Sequence, residues 1–209
     1  MQKRKLGRTG LEISVLGYGA GAVGGLFTKG QAADQERAIA RALELGINYV
    51  DTAALLKAVD SKLFDTVQVV YNALNPSAGG PMPKGAPGLD YGRLLDRAKA
   101  ANMGTIIIRA LAGGALAGTT DRHPLAQPQV PPIGSAPDFA GDVARAQQLA
   151  PLVKEGAAGS LTELGERFVI SHPNVSTMLV GYSTLQHLEE AIAAVNKGPL
   201  PAAVLSRMS

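Results

Sequence analysis

From residue 15 to residue 196 the sequence alternates short apolar runs of β type with amphipathic helical stretches, five times over and with one extra helix. Alternation of this kind joins parallel strands through crossover helices, which points to an α/β fold and away from all-α and antiparallel all-β ones. Strands are expected at residues 15–18, 47–50, 66–71, 105–108 and 176–180. Asp34 precedes a helix whose Ala38, Ile39, Ala42 and Leu43 share one face and which Gly46 stops. Further helices are expected at 55–63, 91–102, 141–155, 161–171 and 184–196, the last ended by Gly198 and Pro199. Ser160 and Glu163 have the spacing of a capping box, in which each side chain satisfies the other's backbone N–H. Ser183 and Gln186 repeat that pattern. Ahead of the alternation, residues 5–14 read as a β-hairpin around Gly7 and Gly10. No linker divides the 209 residues, so one domain spanning 1–209 is expected.

Composition narrows the function classes. The absence of cysteine excludes a disulfide scaffold, a thiolate zinc site and a cysteine nucleophile. The 20 basic and 17 acidic residues are interspersed, so no nucleic-acid-binding patch stands out. No apolar stretch approaches the ~18 residues of a membrane span, and the basic N-terminus has no apolar segment behind it. A soluble cytoplasmic protein is expected. His123, His172 and His187 stand in no metal-ligand or triad spacing and read as structural or solvent-facing, so no metal is expected.

Gly19, Gly21 and Gly24 match the dinucleotide fingerprint G-x-G-x-x-G after a strand. That chemistry requires the glycines to open a helix directly, so that its N-terminus meets a pyrophosphate. Here residues 25–30 intervene, and the preferred reading is a loop at the mouth of a barrel.

Several stretches together resemble the aldo-keto reductases, NADP(H)-dependent barrel enzymes. Residues 6–17 (LGRTGLEISVLG) resemble the family's opening hairpin and first strand, and residues 42–53 (ALELGINYVDTA) its first helix and second strand. Residues 64–72 (FDTVQVVYN) and 107–118 (IIRALAGGALAG) resemble the sixth and seventh strands. Residues 180–190 (VGYSTLQHLEE) resemble the cofactor-binding end of the last strand and helix. The implied fold is a parallel (β/α) barrel of TIM-barrel type. A complete barrel typically takes ~250 residues, and this chain reads as one reduced to about five βα units with an N-terminal hairpin. Strands three to five of the family pattern have no counterpart. The retained strands six, seven, eight, one and two would be neighbours. The short 54–65 connection then requires a curled half-barrel, which is preferred, or reordered strands, or two chains exchanging halves. The half-barrel's edges, residues 47–50 and 66–71, would offer unpaired backbone groups and favour a homodimer.

The resemblance also assigns site residues. The family reduces small carbonyl compounds with a Tyr acid, a Lys and an Asp that lower the Tyr pKa, and a His beside the carbonyl. Only Asp51 of the four is present. Leu56 stands at the Tyr position, with Lys57 beyond it on the helix. Impaired or absent activity is therefore expected, with a catalytically inert nucleotide-binding or interaction protein as the alternative. The NADP(H) site is better kept. Gln68 and Tyr71 match the end of strand six, with Tyr71 equally suited to the core. Arg109, Leu111, Gly113 and Gly114 match the loop along the nicotinamide ribose and pyrophosphate, and Gly181, Ser183 and Thr184 match the phosphate-binding start of the last helix. Glu190 matches the adenine or ribose contact, followed by Ala191 in place of the expected Asn. His187 stands where a firm cation would meet a 2′-phosphate, so binding is expected to be weak and its preference for NADP over NAD is left open.

Overall fold

The structure is a computed structural model and describes residues 3–5, 12–14, 18–20, 32–45, 50–52, 59–60, 65–126, 131–132 and 137–208. The chain divides into two compact units, Met1–Ser61 and Lys62–Ser209.

In the first unit, β1 (Lys3–Lys5) and β2 (Glu12–Ser14) pair antiparallel with Arg4 opposite Ile13, which is the expected hairpin. β3 (Tyr18–Ala20) and β4 (Val50–Thr52) pair in parallel, with Gly19 opposite Asp51. Between them in sequence runs α1 (Ala32–Glu44), so this is a β-α-β unit. The expected strands meet the described ones at Tyr18 and Val50, residues 15–17 and 47–49 lie outside the described residues, and Asp51 falls inside β4. The glycine fingerprint beyond Ala20, Leu56 and Lys57 lie outside the described residues. Of the helix expected at 55–63, residues 59 and 60 are described, and both are helical.

The second unit is built on a parallel sheet of β5 (Thr66–Val70), β6 (Gly104–Ile108) and β7 (Thr177–Met178), in that order. Gln68 stands opposite Ile106, and Ile106 opposite Thr177. This is the order expected for strands six, seven and eight of the family pattern. Val67, Val69 and Val70 are buried in β5 and Ile107 in β6. Around the sheet stand α2 (Leu94–Ala100), α3 (Phe139–Gln147), α4 (Ala150–Lys154), α5 (Leu161–Ile170), α6 (Leu185–Asn196) and α7 (Ala202–Leu205). Leu94, Leu95, Leu116, Leu164 and Val169 complete the core.

Four local expectations are corrected. The helix expected at 141–155 is two, because Pro151 cannot continue the hydrogen-bond ladder of α3 and instead sits in the first turn of α4. The helix expected from residue 91 starts at Leu94, since Gly92 and Arg93 are both left-handed, at φ 57° and 55°. β7 is shorter than residues 176–180. Ser176 reaches β6 through a side chain instead, its N–H donating to Thr105 Oγ1 at 3.0 Å while Thr105 N–H donates to Ser176 Oγ. The loop expected from residue 110 contains a 3₁₀ segment, η1 (Ala112–Ala117). The cap of α5 forms at the expected residue: Ser160 Oγ accepts from Glu163 N–H at 3.0 Å, while the Glu163 carboxylate accepts from Gly159 N–H, one residue before the box position. No helix among the described residues is long and apolar enough to cross a membrane.

Candidate functional site

Ligands of parallel α/β sheets bind beyond the carboxyl ends of the strands. The residues immediately after β6 and β7 therefore carry the candidate site.

After β6 the chain turns sharply. Arg109 and Ala112 are non-glycine residues in the left-handed region, at φ 56° and 50°, and Gly113 and Gly114 follow at 68° and 102°. Such conformations are costly with a side chain and need support from the surroundings. Two groups supply it. The Arg109 carbonyl accepts from Ala112 N–H at 2.8 Å and from Asn72 Nδ2 at 2.9 Å. The Gly113 carbonyl accepts from Arg122 Nη1 at 3.0 Å, and the Arg122 guanidinium lies 5.1 Å over the Phe139 ring. A Cβ on Gly114 would come within 3.3 Å of that same guanidinium. The Leu111 carbonyl accepts from the N–H groups of Gly114 and Leu116. Arg109 itself is half-buried and makes no ion pair among the described residues.

After β7, a Cβ built on Gly181 would meet nothing within 4 Å, so the backbone there faces open space. The cap of α6 is Thr184 and not Ser183. Thr184 is the extended residue, at φ −141°, and its Oγ1 accepts from His187 N–H at 3.1 Å. The N–H groups of Leu185 and Gln186 have no acceptor among the described residues. Ser183 is half-buried beside them. His187 meets His123 edge to face, with ring centroids 6.1 Å apart. Arg122 holds Gly113 while its neighbour His123 touches His187, so two consecutive residues tie the loop after β6 to the start of α6.

The remaining candidates separate by environment. Gln68 is on the exposed face of β5. Tyr71 is 5% exposed and packs on Phe168 at 5.2 Å and on His172 at 5.7 Å. Burial pushes its hydroxyl pKa well above the ordinary tyrosine range. Glu190 is exposed and accepts from Gln186 Nε2 at 2.7 Å. Asp51 belongs to the first compact unit and its backbone lies in β4.

Sequence reasoning passed over Asn72, Arg122 and Glu166. Asn72 had a local signal, since Asn72 and Asn75 at a strand end have turn-forming character. Glu166 is 1% exposed on α5, and its pKa is raised to about 7 by burial first and by the charges of Glu163 and Glu190 second. Burial and Glu166 also raise the hydroxyl of Tyr182, four residues past β7. A separate pocket of about 200 Å³, lined by Leu74, Pro83, Arg145 and Leu149 among others, contains none of the candidate residues.

Residues 57–209 match the model of the aldo/keto reductase family. The fold resembles that of the solved structure "aldo-keto reductase AKR11C1 from Bacillus halodurans (holo form)", with a TM-score of 0.53 and 12% identity. The likeness covers 92% of this chain and 56% of that one, so this chain spans little more than half of its length. No curated protein matches.

Proposed function

Because the chain belongs to the aldo/keto reductase family, we propose that it is an NADP(H)-binding member that retains much of the dinucleotide site and has impaired or no activity toward small carbonyl compounds. The observation that carries this reading is the left-handed segment after β6, pinned by Arg122 while His123 meets His187 on α6. It supports a preformed cradle with the chemistry a dinucleotide needs. Arg109 offers a guanidinium with no described counter-ion, Leu185 and Gln186 offer N–H groups at a helix start, and Gly181 leaves room for phosphate to approach the backbone. NADPH held there would supply a hydride. In this reading Arg109, Leu111, Gly113 and Gly114 hold the pyrophosphate and nicotinamide ribose. Gly181, Ser183 and Thr184 hold the other phosphate, with His187 and Glu190 at the adenosine end and Gln68 at the carboxamide.

A catalytically inert binding protein is the second reading, and the tyrosines favour it. Burial raises the hydroxyl pKa of Tyr71, Tyr91 and Tyr182 above the ordinary value, the opposite of what activates a tyrosine acid.

Titration of the purified chain with NADPH, followed by the cofactor's own fluorescence, tests both readings. Saturable binding is expected, and Arg109→Ala should weaken it roughly 10- to 100-fold, the value of a charge-assisted hydrogen bond. Binding unchanged in a Ser183→Ala, Arg109→Ala double variant would move the site elsewhere. Absence of binding in the unaltered chain would end the dinucleotide reading. A homodimer through sheet edges belongs to the same proposal, because β5, one of the two expected edges, has a partner on one side alone among the described strands. Light scattering should then give twice the 21.5 kDa chain mass, and a monomer at high concentration would refute it.

A further inference from the structure

The left-handed turn after β6 is held from a distance. Asn72, just beyond β5 and 1% exposed, spends its whole amide on backbone. Its Oδ1 accepts from the N–H groups of Leu74 and Asn75, both at 2.9 Å, and its Nδ2 donates to the Arg109 carbonyl at 2.9 Å. Its own N–H and carbonyl pair with the carbonyl and N–H of Asn75. The side chain is thus fixed at its oxygen end by a tight turn and at its nitrogen end by a residue 37 positions later. Arg109 is half-buried, left-handed and without an ion pair among the described residues. A residue with a side chain enters that region only where surrounding structure over-determines it, and such strain concentrates where a chain meets a ligand. A hydrogen bond to the Arg109 carbonyl fixes the peptide plane after that residue, and with it the start of the turn through Leu111, Gly113 and Gly114.

We propose that Asn72 is a positioning residue for the pyrophosphate-and-nicotinamide half of the dinucleotide site, acting through the backbone of Arg109. This rests on the reading of the chain as an NADP(H) binder. Asn72 makes no contact with the ligand in this scheme. Its removal frees the turn after β6 and leaves the start of α6 intact, because Thr184 caps that helix independently. A packing role alone would weaken every ligand through loss of folded protein. A positioning role weakens only ligands that reach the turn.

The test compares two probes on the same proteins: NADPH, which spans the site, and adenosine 2′,5′-bisphosphate, which carries only the adenosine end. The variants are Asn72→Ala, Asn72→Ser, Arg109→Ala and the Asn72→Ala, Arg109→Ala pair. Asn72→Ser adds no charge, keeps a turn-forming hydroxyl and is too short to reach the Arg109 carbonyl, so it decides the matter if the alanine variant does not fold. The expected result is at least a tenfold loss of NADPH affinity in the Asn72 variants, with bisphosphate binding within about twofold of the unaltered chain. The double variant should bind NADPH more weakly than Arg109→Ala alone but lose less than the product of the two single losses, since both changes act on the same turn. Equal losses for the two probes, or no loss for NADPH, would overturn the proposal. Failure of the unaltered chain to bind either probe would instead bring down the NADP(H) reading, and the positioning role with it.

Discussion

Replacing Glu166 by glutamine should stabilise the protein above neutral pH and leave it nearly unchanged below pH 4.5. Glu166 lies in the middle of α5, which packs on α6, and is 1% exposed. Burial, then the charges of Glu163 and Glu190, hold its pKa at about 7 in the folded chain, against about 4.3 for an unfolded glutamate. A carboxyl whose folded pKa is raised keeps a proton that the unfolded chain gives up. Its contribution is therefore fully favourable below about pH 4.5, falls as pH rises, and has been lost above about pH 7. The full swing is at most about 4 kcal/mol at ~1.36 kcal/mol per pH unit. Other carboxylates titrate in the same range, so the quantity to measure is the difference between the unaltered chain and Glu166→Gln in urea unfolding at pH 4.5, 6 and 8. That difference should open steadily with pH in the variant's favour. Parallel stability curves would show that Glu166 titrates like an exposed glutamate and is not buried as the structure has it.

Glu166 also marks the limit of what the sequence makes legible. Its neighbours Leu164, Phe168 and Val169 repeat at helical spacing, and that pattern locates α5 and its buried face. The same pattern gives no warning that a carboxylate shares that face. Strand identity and order were readable for a related reason: the alternation of β and α elements restricts the pairing, and β5-β6-β7 obeys it. Conformations set by single residues were readable only where the residue has one plausible role. Ser160 is followed by Glu163 and caps α5 as expected. Ser183 and Thr184 are adjacent hydroxyls, either of which could cap, and the backbone of the loop from β7 makes Thr184 the extended one. Around the candidate site the glycines at 113, 114 and 181 could be read locally. The supports of the turn could not, because Asn72 reaches Arg109 across 37 positions and the Arg122 stack on Phe139 is a tertiary contact.

The largest expected effect is on catalysis. With saturating NADPH, reduction of a reactive aldehyde such as nitrobenzaldehyde should run at least about 10²-fold slower than in a full-length member of the family, the low end of what a positioned general acid contributes, ~10²–10⁴. The reason is chemical and local. A tyrosine protonates the carbonyl oxygen effectively only when neighbouring charge lowers its pKa toward the working pH. In the proposed reading Leu56 stands at the family's tyrosine position, and Tyr71, Tyr91 and Tyr182 are each shifted the other way by burial. Tyr71, though beside the candidate site in sequence, is enclosed by Phe168 and His172 with its ring 5% exposed. In the same reading no histidine orients the carbonyl, which adds to the deficit because hydride transfer depends on near-attack geometry. Leu56→Tyr should not restore the rate, since in the proposed reading a new hydroxyl there has no activating lysine and keeps a pKa near ~10. Two outcomes would overturn this account. Turnover comparable with the full-length enzyme would require a proton donor other than Tyr71, Tyr91 and Tyr182. A large gain from Leu56→Tyr alone would mean that Asp51, with whatever cation lies near it, is enough to activate the acid.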